Sequence, residues 1–360
     1  MERRMNKKLK IFLGAYVNYP NAQNINCANI AKYLDKDKFE VHAMYIPKNP
    51  IDRKAYQAAG IHLHRLIHHR WIWHFSKWMT MKLGRYDIYY LPKIEPADRR
   101  FAQQHKKTVC ISSVEGVVGE QIPSKDYAAQ YYFNELMDDY FSISSCIQHS
   151  VKKYWNRDTS VLYLGVEPPL DKLETKTTVK SVVWIGYVIE RKRPELFLKC
   201  AERFPNLRFT MIGDGDKSIA IQRMIQEKNL KNVFYLGRTP NEQVYRELNK
   251  SDLLLMTSDR EGLPKVIGEA MISAVPSIYI NQHYTVDYIE NGLNGYAVDN
   301  VDGMIEKIQL LIDRPDLYQK MSCCARQTIQ KYTWGNLIKD YENYFIEQYE
   351  AHCRKIRRMP

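Results

Sequence analysis

A chain of 360 residues, 45% hydrophobic and 26% charged, has the composition of a globular protein and is long enough for two domains with separate cores. No stretch approaches the roughly 18–20 consecutive apolar residues of a membrane-spanning helix, and seven scattered cysteines without a C-x-x-C pair point to reduced thiols in a cytoplasmic protein rather than a disulfide scaffold. The charge is uneven: residues 1–107 hold 21 Lys and Arg against 8 Asp and Glu, a surplus larger than the +12 of the whole chain, so the basic part expects an anionic partner.

From the N-terminus, residues 1–20 read as a basic leader into a first strand, and a secretory signal is not expected. Apolar runs at 10–17, 39–46, 87–91, 108–114, 140–144 and 160–166 read as strands separated by helical stretches, the alternation of a parallel α/β layer. Residues 61–85, IHLHRLIHHRWIWHFSKWMTMKLGR, combine Trp71, Trp73 and Trp78 with Arg65, Arg70, Lys77, Lys82 and Arg85. Indole and basic groups together suit a lipid headgroup boundary. A helix with its tryptophans on the sheet and its bases reaching outward is the competing reading. His62, His64, His68, His69 and His74 cluster there, yet without helical ligand spacing or cysteines no zinc site is read and no metal is expected.

The polar, proline-led segment 168–180 reads as a linker. Beyond it the alternation restarts with strands at 181–187, 207–215, 233–237, 252–258, 276–280 and 295–298, followed by a helix-rich tail. Within this half, DREGLPKVIGEAM (259–271) follows a buried apolar strand. Pro264 fits the first turn of a helix and Gly262 permits close backbone approach. A helix N-terminus at the carboxyl edge of a sheet invites an anion. Glu261 and Glu269, eight residues apart on either side of that start, are then better suited to accept hydrogen bonds from hydroxyl groups.

Four features line up in order: Gly186 with Lys192 six residues on, the glycine-bearing strand end MIGDGD (211–216), Gly237-Arg238 before a helix, and the paired glutamates. This series resembles the donor-binding domain of family-4 retaining glycosyltransferases, strongly over 181–335 and more weakly over 9–166. The resemblance implies a GT-B α/β fold, two Rossmann-like domains facing across a cleft, with C-terminal helices crossing back to the first domain. The corresponding boundaries are 1–167 for an acceptor-binding domain, 168–180 for the linker, 181–335 for the donor-binding domain and 336–360 for the returning helix.

Residue by residue, the resemblance places Lys192 at the donor diphosphate, Glu261 at the transferred sugar and Glu269 at the ribose. It places Gly186, Gly213, Asp214, Gly215, Gly237 and Arg238 in the loops around the nucleotide, and Gly262, Leu263 and Pro264 along the sugar and phosphates. Glu115, at the end of the 108–114 strand, stands where many members carry a histidine-led pair, and is a candidate catalytic acid in the first domain. Three departures stand out. Tyr187 replaces a common arginine, for which Arg191 or Arg193 could substitute; Ala274 replaces a usual glycine, read as a packing change; and the glycine pair after the first strand is reduced to Gly14.

The implied activity is transfer of a sugar with retained configuration from a nucleotide-sugar, UDP-linked or GDP-linked, to a glycan or lipid-linked saccharide at the cytoplasmic membrane face. No cofactor or metal is expected, since Lys192 and a helix dipole supply the positive charge. Three other classes stand beside it on the sequence: a GT-B sugar-nucleotide epimerase, a catalytically silent nucleotide-sugar binder, against which the presence of Lys192, Glu261 and Glu269 argues, and a nucleic-acid-binding or nucleic-acid-modifying protein using the basic half. No recognisable nucleic-acid module supports the last of these.

Overall fold

A computed structural model describes residues 7–67, 69, 72–104, 108–119, 124–168 and 176–357. The chain divides into two compact units. Unit 1 comprises residues 1–165 together with 334–360, and unit 2 comprises 166–333.

Unit 1 contains β1 (Leu9–Tyr16), β2 (Phe39–Tyr45), β3 (Ile61–Arg65), β4 (Ile88–Tyr90), β5 (Val109–Val114) and β6 (Asp139–Ser142). They form one sheet in the order β3-β2-β1-β4-β5-β6, and every pairing is parallel. Unit 2 repeats the plan with β7 (Ser181–Ile185), β8 (Arg208–Ile212), β9 (Val233–Gly237), β10 (Leu253–Met256), β11 (Ser277–Ile280) and β12 (Gly295–Val298), in the order β12-β11-β10-β7-β8-β9. Both sheets are doubly wound, and in each the strand order reverses once, between β1 and β4 or between β7 and β10. That reversal opens a crevice at the carboxyl ends of the strands, where such sheets bind ligands.

Strands buried on both faces explain the uninterrupted apolar runs: Leu253, Leu254, Leu255 and Met256 are all at most 1% exposed. The unit 2 core gathers Trp184, Phe197, Phe209, Met211, Leu255 and Ile278. That of unit 1 is more aromatic, with Phe12, Tyr16, Tyr86, Tyr89 and Phe101.

One expected strand is missing from the structure and one unexpected strand is present. Residues 160–166 make only single bridges, Val161 with Ser142 and Val166 with Thr333. Leu162, Leu164 and Val166 are buried, but the helix Trp334–Arg357 claims this segment: the Tyr341 hydroxyl donates to the Tyr163 carbonyl at 3.0 Å, and the Trp334 ring lies so close to Gly165 that a Cβ there would stand 2.5 Å from it. The same helix is tied to unit 1 by Glu342, which accepts from the Asp35 N–H and the Lys38 ammonium, both at 2.8 Å. Conversely, 61–65, included above in a single amphipathic stretch, is the edge strand β3. Its alternation of His62 and His64 with apolar residues has the period of two that a strand requires.

Candidate functional site

The carboxyl ends of β7, β8 and β9 are stitched together through glycines. Gly186 N–H donates to Ile212 O at 3.0 Å and Gly213 N–H to Gly237 O at 2.9 Å. Gly213 has a φ of 137°, and a Cβ on it would stand 1.8 Å from the Gly186 carbonyl; the close approach of these two strand ends therefore requires glycine. The Tyr235 hydroxyl braces the same loop, donating to Gly213 O at 2.9 Å. Asp214 turns inward on its own loop, accepting from the Ser218 hydroxyl at 2.7 Å and the Gly215 N–H at 2.9 Å. Those bonds hold its carboxyl below the usual range and commit it to shaping the turn. Arg238 is exposed beside it.

Past Gly186 the chain makes a short 3-10 turn, Glu190–Lys192, before the helix Pro194–Arg203. Lys192 is 9% exposed, and its stem runs over Gly186, whose missing side chain leaves it room. Its ammonium reaches Glu261 Oε1 at 2.6 Å, and Arg191 Nη1 reaches the same oxygen at 3.1 Å. Burial pushes the Glu261 carboxyl up, but Lys192, Arg191 and the Ser258 hydroxyl outweigh it and hold the group below its ordinary value. The carboxylate is therefore ionised at neutral pH with two cations on it.

Arg193 has a different task. In left-handed backbone at φ 46°, it donates to the carbonyls of Thr257 at 2.8 Å and Ser258 at 3.0 Å and to Gln282 at 3.0 Å. It thus locks the loop after β10 to the turn after β7, while Thr257 returns a hydrogen bond to Lys192 O at 2.6 Å. Of the two arginines that could replace the one absent at Tyr187, Arg191 is the one facing Glu261. Tyr187 itself is 65% exposed.

The helix Lys265–Ile272 starts one residue later than the sequence reading placed it, with Pro264 as its N-cap. Leu263 and Pro264 are buried and Gly262 half-buried in the loop that leads into it. The first N–H groups of a helix lack intrahelical acceptors, so this start faces the same sheet edge as Lys192. Glu269, half-buried on that helix, accepts from the Tyr245 hydroxyl at 3.3 Å, and burial, followed by the contact with Glu269, raises the Tyr245 phenol. Ala274, taken from sequence as a packing change, follows the helix at φ 57°. The substitution for glycine therefore puts a side chain into left-handed backbone, a conformational cost of about 1 kcal/mol.

Lys192, Glu261, Gly186, Gly213, Gly215 and the loop 262–264 thus converge on the β7/β10 reversal of unit 2. Sequence reasoning missed Tyr245, Thr257 and Ser258, which carry no motif and are found only because they touch motif residues. Glu115 stands in unit 1, just beyond β5, accepting from the Ser113 hydroxyl at 3.1 Å. Its charge bears on buried Cys27, Tyr90 and Tyr341 and helps raise all three, with burial the larger cause.

The lipid-facing residues require correction. Lys77 has a fully buried side chain, paired with Asp98 at 2.8 Å and Glu95 at 2.9 Å. Trp78 is 7% exposed, and Lys82 and Arg100 lie over its ring. Half-buried Trp73 donates to the Tyr16 hydroxyl at 2.8 Å. These three belong to the interior because the helix Trp73–Gly84 turns that face to the sheet. Arg65, Lys82 and Arg85 are exposed, while Arg70 and Trp71 lie outside the described residues.

Two doubly wound units, with a cation-lined glycine edge on the second, define the GT-B class of fold. Residues 170–328 match the family described as glycosyl transferases group 1. A poly(ribitol-phosphate) alpha-N-acetylglucosaminyltransferase of Staphylococcus aureus is 32% identical over 177 residues, 47% of this chain and 36% of the relative. The Escherichia coli O-antigen biosynthesis glycosyltransferase WbnH is 26% identical over 159 residues, 44% of this chain and 45% of the relative. The chain thus spans less than half the length of these two relatives. Among solved structures, Anabaena HepE in complex with UDP-glucose superposes with a TM-score of 0.78 at 15% identity, covering 95% of this chain and 100% of that one. Staphylococcus aureus TarM with UDP and a glycan gives 0.63 at 22% identity, covering 72% and 55%.

Proposed function

We propose that the chain transfers a sugar from a UDP-sugar to a hydroxyl of a cell-surface glycan or lipid-linked saccharide, with retained anomeric configuration and no metal on the diphosphate. The observation that carries this reading is the meeting of the Lys192 ammonium and the Arg191 guanidinium on Glu261 at the β7/β10 reversal. The bond from the sugar anomeric carbon to the diphosphate oxygen breaks, and one from that carbon to the acceptor oxygen forms. The acceptor proton passes to the departing diphosphate, whose charge Lys192, Arg191 and the start of the helix Lys265–Ile272 stabilise. A hydrated ammonium suits such point-charge work. Glu261 holds the cations in place before the donor arrives and accepts hydrogen bonds from the sugar hydroxyls; Glu269 accepts from the ribose. UDP is favoured because the similar solved proteins hold UDP or UDP-glucose.

Thermal unfolding in the presence of UDP tests the donor site, since a ligand bound only by the folded protein raises its stability. A rise with UDP that shrinks in Glu269→Ala is expected; no rise with UDP in the wild-type chain would remove the proposed donor.

We also propose that unit 1 meets an anionic membrane at the cytoplasmic face, through residues other than the buried tryptophans. Ile72, Phe75 and Leu83 are 41%, 54% and 70% exposed and recur after about one and then about two helical turns along one stripe. Exposed Lys82 on this helix, Arg85 just past its end, and Arg99 and Arg100 on the following helix give the apolar stripe the basic flanks that a headgroup boundary accepts.

A further inference from the structure

β2 and β3 run parallel, with His42 beside His62 and Met44 beside His64. Residues two apart on a strand share a face, so Glu40 and His42 of one strand and His62 and His64 of the other stand on the same side of the unit 1 sheet. Glu40 Oε1 lies 2.9 Å from His42 Nε2, and the His42 and His62 rings stack with centroids 4.7 Å apart. One ligand atom each from Glu40, His42 and His62 falls within 4.8 Å of the others. The surroundings include the Lys10 ammonium, 3.0 Å from Glu40, and the Tyr86 hydroxyl, 3.1 Å from His64 Nε2.

We propose that Glu40, His42 and His62 bind a divalent transition-metal cation of the zinc type, pinning the edge strand β3 to β2. Two imidazoles and a carboxylate form a donor set suited to Zn2+, with ligand bonds of about 2.0–2.2 Å. Atoms already 2.9 Å apart need to separate by only a few tenths of an ångström to share such an ion. A ligating histidine characteristically donates its second ring N–H to a fixed partner. If His42 ligates through Nε2, its Nδ1 faces His64 Nε2 at 3.0 Å, which supplies that partner. Lys10 is the competing cation, and its side chain, 35% exposed, has water to move into when a metal takes Glu40. The site lies apart from the Lys192–Glu261 machinery in unit 2, and its role is to brace a strand that has a neighbour on only one side.

The test uses the full chain and Co2+, whose visible ligand-field bands report on coordination, with Zn2+ as competitor. One equivalent of Co2+ is expected to develop these bands and Zn2+ to abolish them. His62 is exposed, so His62→Ala keeps the fold; it and Glu40→Gln should each weaken binding about tenfold or more. Zn2+ should also raise the unfolding midpoint of the wild-type chain and not that of His62→Ala. Absence of Co2+ bands, or bands equally strong in both variants, would overturn the proposal and leave a ladder of stacked, hydrogen-bonded histidines.

Discussion

Lys77 in unit 1 and Lys192 in unit 2 are both lysines held by carboxylates, but the depth of the pairing differs. The Lys77 and Asp98 side chains are each 0% exposed and Glu95 is 19%, and the Tyr16 hydroxyl closes the group by donating to Glu95 at 2.6 Å. Lys192 and Glu261 are 11% and 12% exposed, and Arg191, the second cation on Glu261, is 37%. A sealed ion pair has nowhere to find another partner and acts as a fastener between helices. One at the open end of a doubly wound sheet can exchange its carboxylate for an arriving anion. Both lie near a point where the strand order reverses, so position in the topology does not separate a binding site from a fastener; access does.

Breaking the sealed pair should have the largest effect. Lys77→Met leaves buried Asp98 without a cation and Glu95 with only Lys93 at 3.8 Å, and should cost about 3–5 kcal/mol of stability, read as a fall in the urea midpoint. Adding Asp98→Asn and Glu95→Gln should recover most of that loss, because the penalty comes from the uncompensated charges. Failure to recover would make the lysine's packing, rather than its charge, the fastener.

Removing the open lysine should reverse the pattern. Lys192→Ala is expected to cut turnover by a factor of about 100–1,000, or about 3–4 kcal/mol of transition-state stabilisation, while the unfolding midpoint moves far less than in Lys77→Met. Steady-state rates with UDP-sugar and acceptor, beside denaturation of the same sample, separate the two lysines. Equal stability losses with unchanged turnover would erase the distinction drawn here.

The smallest effect is expected on the other face of the Lys77 helix. Phe75→Asp with Leu83→Asp alters side chains that are 54% and 70% exposed, so stability should change by about 0.5 kcal/mol or less. Sedimentation with phosphatidylserine vesicles should fall several-fold. Unchanged sedimentation would remove this stripe from membrane contact.

The fold and the gathering of the unit 2 motif residues at one sheet edge were legible because they depend on short-range rules. Apolar runs such as Leu253–Met256 mark strands buried on both faces, and Gly213 and Gly215 are required where backbones approach too closely for a Cβ. The rest was hidden for definite reasons. The 160–166 segment is as apolar as a strand, yet its cover is a helix some 170 residues later, which no local pattern reveals. β3 was absorbed into a tryptophan-rich basic stretch, and with it went the His62-x-His64 alternation that meets Glu40 and His42 on a neighbouring strand. Tryptophan beside lysine has the same composition at a membrane surface and around a buried ion pair. The signal for burial was Glu95 and Asp98, two acids in an otherwise basic region, waiting for a cation.

The return of the helix Trp334–Arg357 to unit 1 also fixes an order of events on the ribosome. All of residues 166–333 are made before the residues that cover Leu162, Leu164 and Gly165. A nascent chain therefore holds every strand of unit 2 while unit 1 still lacks the helix Trp334–Arg357, and the unit begun before the other is finished after it.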